Sequence, residues 1–146
     1  MSEVCSLRLN DVSLRDRSLH IRRMKNGFST IHPIQRDEVR ILKSWLKVRS
    51  SFPGAESEWL FVSRQGAGLT RQRAWQVIKC LGERAGIEVS LHPHMLRHAC
   101  GFALADRGVD TRLIQDYLGH RNIRHTVIYT ASNVERFRNI WSKKNL

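Results

Sequence analysis

His92-Pro93-His94-Met95-Leu96-Arg97-His98 is the densest run of chemistry-bearing side chains in the chain. It opens a segment, His94 to Arg107, whose apolar positions Leu96, Cys100, Ala103 and Leu104 predict a helix buried on that side and stopped by Gly108. His94 and Arg97 are spaced i,i+3, so both project from one helix face. An imidazole beside a guanidinium makes a clamp for phosphate with a proton donor or acceptor next to it. His94 and His98 are spaced i,i+4, which also suits a metal. No Glu follows His94 as a His-Glu-x-x-His zinc helix requires, and further ligands are lacking, so no metal is assigned. His98 suits a supporting structural role.

Downstream, Asp110 caps a predicted helix over Thr111 to Leu118, and Gly119 ends it. His120 follows that glycine, where its side chain is free to point into a cleft. Asn122 is expected to cap one more helix, running through Thr130, with Tyr129 near its end and Thr126 one turn earlier. Alone, Tyr129 reads as packing and His120 as surface. Upstream, Arg22-Arg23-Met24-Lys25-Asn26-Gly27 holds a hairpin-turn signal, since Asn and Gly tolerate positive φ. Lys25 beside that turn has a flexible stem able to reach into a groove, although a lone hairpin lysine is ordinarily solvated.

The remaining layout is α+β with helices dominating. Short extended runs at Val12 to Leu14, Leu19 to Arg22 and Phe28 to Ile34 predict a small three-stranded antiparallel sheet, with a turn at Asp16-Arg17. Met1 to Leu9 reads as the tail of a helix. Asp37 to Arg49 predicts a helix buried through Val39, Leu42, Trp45 and Leu46. Ser51 to Glu58, with Pro53-Gly54, is a loop, and Trp59 to Val62 is a short extended run. Thr70 caps a helix to Ala85, expected to turn Trp75, Ile78 and Leu81 inward before Gly86 stops it. Val134 to Trp141 is expected to form a last helix.

The chain has 146 residues, the length of one domain with a single core, and residues 1–146 are taken as one unit. No apolar run reaches membrane-spanning length, and the N-terminus lacks a secretory pattern, so no membrane partner is expected. Cys5, Cys80 and Cys100 are an odd set, which suits free thiols in a reducing cytosol. The net charge is +12, and 19 of the 25 basic residues are Arg, whose planar fork pairs bidentately with phosphate. Residues 1–60 hold 11 basic and 7 acidic side chains, and residues 61–146 hold 14 and 6. The C-terminal half is therefore the expected anion-binding face, with Arg71, Arg73, Arg121 and Arg124 as candidate phosphate contacts.

Taken in order, these pieces resemble the catalytic domain of the tyrosine recombinases, the phage-integrase family. That family shows a hairpin Lys, then His-x-x-Arg-His, then Leu-Gly-His, then Tyr a short helix later. Here they stand as Lys25, His94 to His98, Leu118-Gly119-His120 and Tyr129. Lys25 to Thr30, His92 to His98 and Asp110 to Thr126 look in particular like the fimbrial phase-switch invertases, which invert a promoter-bearing DNA segment between inverted repeats. The resemblance implies that Tyr129 is the nucleophile and forms a 3′-phosphotyrosyl link without ATP or metal. It implies that Arg97 neutralises the phosphate oxygens, His94 handles the tyrosine proton, His120 hydrogen-bonds the phosphate and Lys25 protonates the leaving 5′-oxygen. It further implies double-stranded DNA as partner, a homotetramer on two sites, and contacts in trans from the last helix through Phe137 and Trp141.

There is one departure. The family's first catalytic arginine lies in Arg-x-Ser-Glu, and Met1-Ser2-Glu3 supplies only the last three positions. One preorganised phosphate donor is worth ~2–4 kcal/mol in the transition state, or ~10²–10³ in rate. The alternative expectation is therefore a catalytically impaired DNA-binding remnant.

Overall fold

A computed structural model describes residues 1–22, 29–131 and 133. Among them are a short helix α1 (Ser2–Cys5), strands β1 (Val12–Ser13), β2 (Ser18–Ile21) and β3 (Thr30–Pro33), and helices α2 (Arg36–Arg49), α3 (Arg71–Arg84), α4 (Pro93–Asp106), α5 (Thr111–Leu118) and α6 (Arg124–Ala131). The expected α+β class, mostly helical with a three-stranded antiparallel sheet, is what forms. Lys25 with its hairpin and Val134 to Trp141 lie outside the described residues.

The strands run in the order β1-β2-β3. Val12 pairs with Leu19, and β2 pairs with β3 from Ser18–Pro33 to Ile21–Thr30. The turn at Asp16-Arg17 holds: Arg17 takes φ 51°, and its carbonyl accepts from the Ile34 amide at 2.7 Å. Trp59 to Val62 makes isolated bridges, Arg8 with Trp59 and Val62 with Gly68, in place of a strand.

Helix α2 begins where the Gln35 amide donates to the Glu38 carboxylate at 2.7 Å, a reciprocal cap that satisfies an otherwise orphaned donor. Val39, Leu42, Trp45 and Leu46 face inward as expected, and the Trp45 indole donates to the Leu60 carbonyl at 2.8 Å. Arg49, at the end of α2, is buried. Its guanidinium donates to the carbonyls of Ala55, Ser57 and Trp59 at 2.7–3.0 Å and so ties the Pro53-Gly54 loop to the helix. A buried cation is tolerable here because carbonyls satisfy its donors.

Two expected helix faces are corrected. Trp75 and Leu81 of α3 are exposed, and the inward stripe is Ala74, Ile78 and Gly82. In α4, Leu96 and Ala103 are exposed, and the inward side is Arg97, Cys100, Gly101, Leu104 and Ala105. Both stripes follow i,i+4,i+8 spacing through small residues. A Cβ on Gly82 would fall 2.8 Å from Leu91, and one on Gly101 would fall 2.6 Å from the Tyr129 ring. Helices approach closely where side chains are small, so the largest apolar residues do not mark the contact face.

The C-terminal helices share one core of Ala105, Ile114, Leu118 and Tyr129, with Cys100, Leu104 and Val109 packed against it. Local caps set the ends of these helices. The Asp110 carboxylate accepts from the amides of Arg112 and Leu113 at 2.8 and 3.2 Å. Gly119 closes α5 at φ 69°, a conformation glycine adopts without Cβ strain. The Asn122 side chain accepts from the Arg124 amide at 2.9 Å at the start of α6.

Candidate active site

Helices α4, α5 and α6 bring three separated sequence motifs together around Arg97. Its guanidinium donates to the Leu118 carbonyl, and its Nε donates to His120 Nε2 at 3.3 Å. A guanidinium can only donate, so His120 Nε2 is the acceptor and lacks a proton. The ring proton then sits on Nδ1 and donates to Thr126 Oγ1 at 2.9 Å. Thr126 is fully buried, which gives this contact a fixed anchor.

The backbone at His120 is held as firmly as its ring. The His120 amide donates to the Gln115 carbonyl at 3.0 Å, and the buried Gln115 side chain donates back to the His120 carbonyl at 2.9 Å. Sequence patterns assign no role to Gln115 or Thr126, because their role lies in bonds that only the packed helices make.

Tyr129 is 1% exposed. Its ring lies against Gly101, meets Phe102 edge-on at 5.1 Å and stacks on His120 at 6.1 Å with planes 28° apart. Its hydroxyl bonds Nδ1 of His98 at 2.9 Å. Burial pushes its phenol above the ordinary value, with Cys100 adding to the rise and the Arg97 charge opposing it. His94 is the group expected from sequence to meet this hydroxyl, but the bond goes to His98.

His94 and Arg97 instead line an open cavity of about 690 Å³ with Met1, Arg71, Trp75 and His92. The first turns of α3 and α4 both open onto it, at Arg71 and at Pro93-His94, and helix N-termini favour anions. The His92 side chain caps α4 by accepting from the Met95 amide at 3.4 Å. Of the four candidate phosphate contacts, Arg71 reaches this cavity. Arg73 bonds Gln76 at 3.2 Å, and Arg121 and Arg124 are exposed beyond α5, outside the cavity lining. Among the described residues no group of three or more His, Cys, Asp or Glu is placed to hold a metal, and no described helix is long and apolar enough to cross a membrane.

Arg97, His98, His120 and Tyr129 are thus gathered where α4, α5 and α6 meet, as the resemblance to the tyrosine recombinase catalytic domain leads one to expect. The comparisons agree with that class. The model of the phage integrase family matches residues 1–136. The type 1 fimbriae regulatory proteins FimB and FimE of Escherichia coli K12 are 58% and 52% identical to this chain. FimB aligns over 97% of the chain and 71% of its own length, and FimE over 100% and 74%. The crystal structure of the XerA recombinase superposes with a TM-score of 0.80 at 30% identity, over 99% of this chain and 53% of XerA. The chain belongs to the phage integrase family of tyrosine recombinases, and its class of reaction is site-specific DNA recombination.

Proposed function

We propose that this chain is the catalytic domain of a DNA invertase that flips a promoter-bearing segment between inverted repeats and so switches fimbrial expression. It would work in the bacterial cytoplasm at the nucleoid, as a homotetramer on two sites. The observation that carries the chemistry is the convergence of Arg97, His94 and Arg71 on one cavity, with His120 bonded to Arg97 and Tyr129 stacked behind it.

In this reading the scissile phosphate enters the cavity and meets Arg97, already oriented by the Leu118 carbonyl and His120. Preorganised donors stabilise charge as it builds in the pentacoordinate transition state. The Tyr129 oxygen attacks phosphorus and its proton passes to His94. The bond from phosphorus to the 5′-oxygen breaks, and Lys25 protonates the leaving oxygen. The product is a 3′-phosphotyrosyl link and a free 5′-hydroxyl, so the phosphodiester energy is kept for rejoining. Arg71 holds a phosphate beside the reacting one, and Arg73, Arg121 and Arg124 supply charge along the duplex.

The test is covalent capture on a nicked duplex carrying one inverted repeat, run with EDTA present. Any protein–DNA adduct that the wild-type chain leaves on a denaturing gel is expected to form slowly. Tyr129→Phe is expected to abolish the adduct and leave the mobility shift on the same duplex intact. DNA binding without any wild-type adduct would favour the DNA-binding remnant, and adduct from Tyr129→Phe would overturn the nucleophile.

A further inference from the structure

The hydroxyl of Tyr129 is committed to a partner that the reaction does not use. It bonds His98 Nδ1 at 2.9 Å, whereas the cavity that would receive phosphate is lined by His94 and Arg97 and not by Tyr129. The residue is 1% exposed, so a phosphate on a DNA duplex cannot reach its oxygen in line. Three further contacts seat the ring: Gly101 beneath it, Phe102 at its edge and His120 stacked on its face. These are apolar or stacking contacts and are not specific for the position of the oxygen. The directional contact of the hydroxyl is the bond to His98.

We propose that His98 is a positioning residue that latches Tyr129 in a resting place, and that this bond must break before Tyr129 can attack DNA. The inference rests on Tyr129 as the nucleophile. His98 stands next to Arg97 in α4, so occupation of the cavity by phosphate bears on the latch through the adjacent residue. An enzyme that cuts chromosomal DNA gains from a nucleophile that stays sheltered until a site is bound. A mere packing role for His98 would depend on its bulk. A latch depends on an acceptor at the Nδ1 position.

That difference sets the experiment. The chain has two tyrosines, so in a Tyr117→Phe background nitration by tetranitromethane, read by mass spectrometry, reports Tyr129 alone. His98→Ala and His98→Gln remove the acceptor, and Gln keeps most of the volume. His98→Asn places an oxygen where Nδ1 stood. We expect slow nitration in the parent and in His98→Asn, and faster nitration in His98→Ala and His98→Gln. On the nicked duplex, with DNA saturating, we expect adduct to form about three- to tenfold faster in His98→Ala and His98→Gln, the weight of one neutral hydrogen bond. Unchanged nitration in both Ala and Gln variants overturns the latch, as does loss of protection in His98→Asn. A fall in adduct rate in both Ala and Gln variants also overturns it, since His98 would then serve Tyr129 during the reaction. A parent chain that forms no adduct favours the DNA-binding remnant instead, and the nitration arm still judges the latch.

Discussion

Arg97 Nε donates to His120 Nε2 at 3.3 Å, across 23 residues of sequence. This one contact ties the His-x-x-Arg-His helix to the Leu-Gly-His turn and fixes which nitrogen of the His120 ring carries the proton. His120 accepts from Arg97, donates to Thr126, and stacks on Tyr129. The Arg97 cation, the His120 ring and the Tyr129 ring therefore form one connected unit.

Arg97→Ala is expected to lower the adduct rate ~10²–10³-fold while DNA binding falls less, because the loss is greatest where charge builds. Arg97→Lys should restore part of the binding and little of the rate. A lysine is a point charge without the planar fork that meets the Leu118 carbonyl and His120 together. Single-turnover adduct formation beside a binding isotherm checks both.

Thr126→Val keeps the shape of a fully buried side chain and removes the acceptor for His120 Nδ1. Stability should fall by ~1 kcal/mol, the net weight of one lost hydrogen bond, measured by urea denaturation. Adduct formation should slow because the His120 ring loses its anchor. Thr126→Ser, which keeps the oxygen, should recover most of the rate.

Arg71 lines the cavity and Arg73, two residues on, does not. Arg71→Ala should weaken binding uniformly across DNA sequences and reduce the salt slope by about 1, as expected for one lost phosphate contact. Arg73→Ala should change the slope less. Titration of binding against salt distinguishes the two.

The Tyr129 phenol is raised above its ordinary value of 10.0, chiefly by burial. Below pH 10 the group is neutral in the folded and unfolded chain, so its contribution to stability is whole. As pH rises through the elevated folded value that contribution is lost, because the unfolded chain releases the proton first. Stability should therefore decline more steeply above about pH 10 in the wild-type chain than in Tyr129→Phe. Thermal unfolding of both from pH 8 to 11 measures the difference.

Elements whose ends rest on local chemistry were legible in the amino-acid order. Asp110 and Thr70 cap with their own side chains, Gly108 and Gly119 take positive φ, and Asn122 reaches two residues ahead. Each of these acts within a few residues, so sequence suffices. The buried faces of α3 and α4 were legible only in part, through Ile78, Cys100 and Leu104. They turn on Ala74, Gly82, Gly101 and Ala105, residues whose smallness matters only once another helix lies against them.

The sequence by itself determined which groups exist and their order along the chain: His94, Arg97, His98, His120 and Tyr129. Tertiary structure alone decided what each group touches. Arg97 meets the Leu118 carbonyl 21 residues on, and Tyr129 gives its hydroxyl to His98, 31 residues back, while His94 turns to the cavity with Arg71. Such bonds follow from how α4, α5 and α6 cross. That crossing is set by the shared core around Ile114, Leu118 and Tyr129, and spacing along one helix does not encode it.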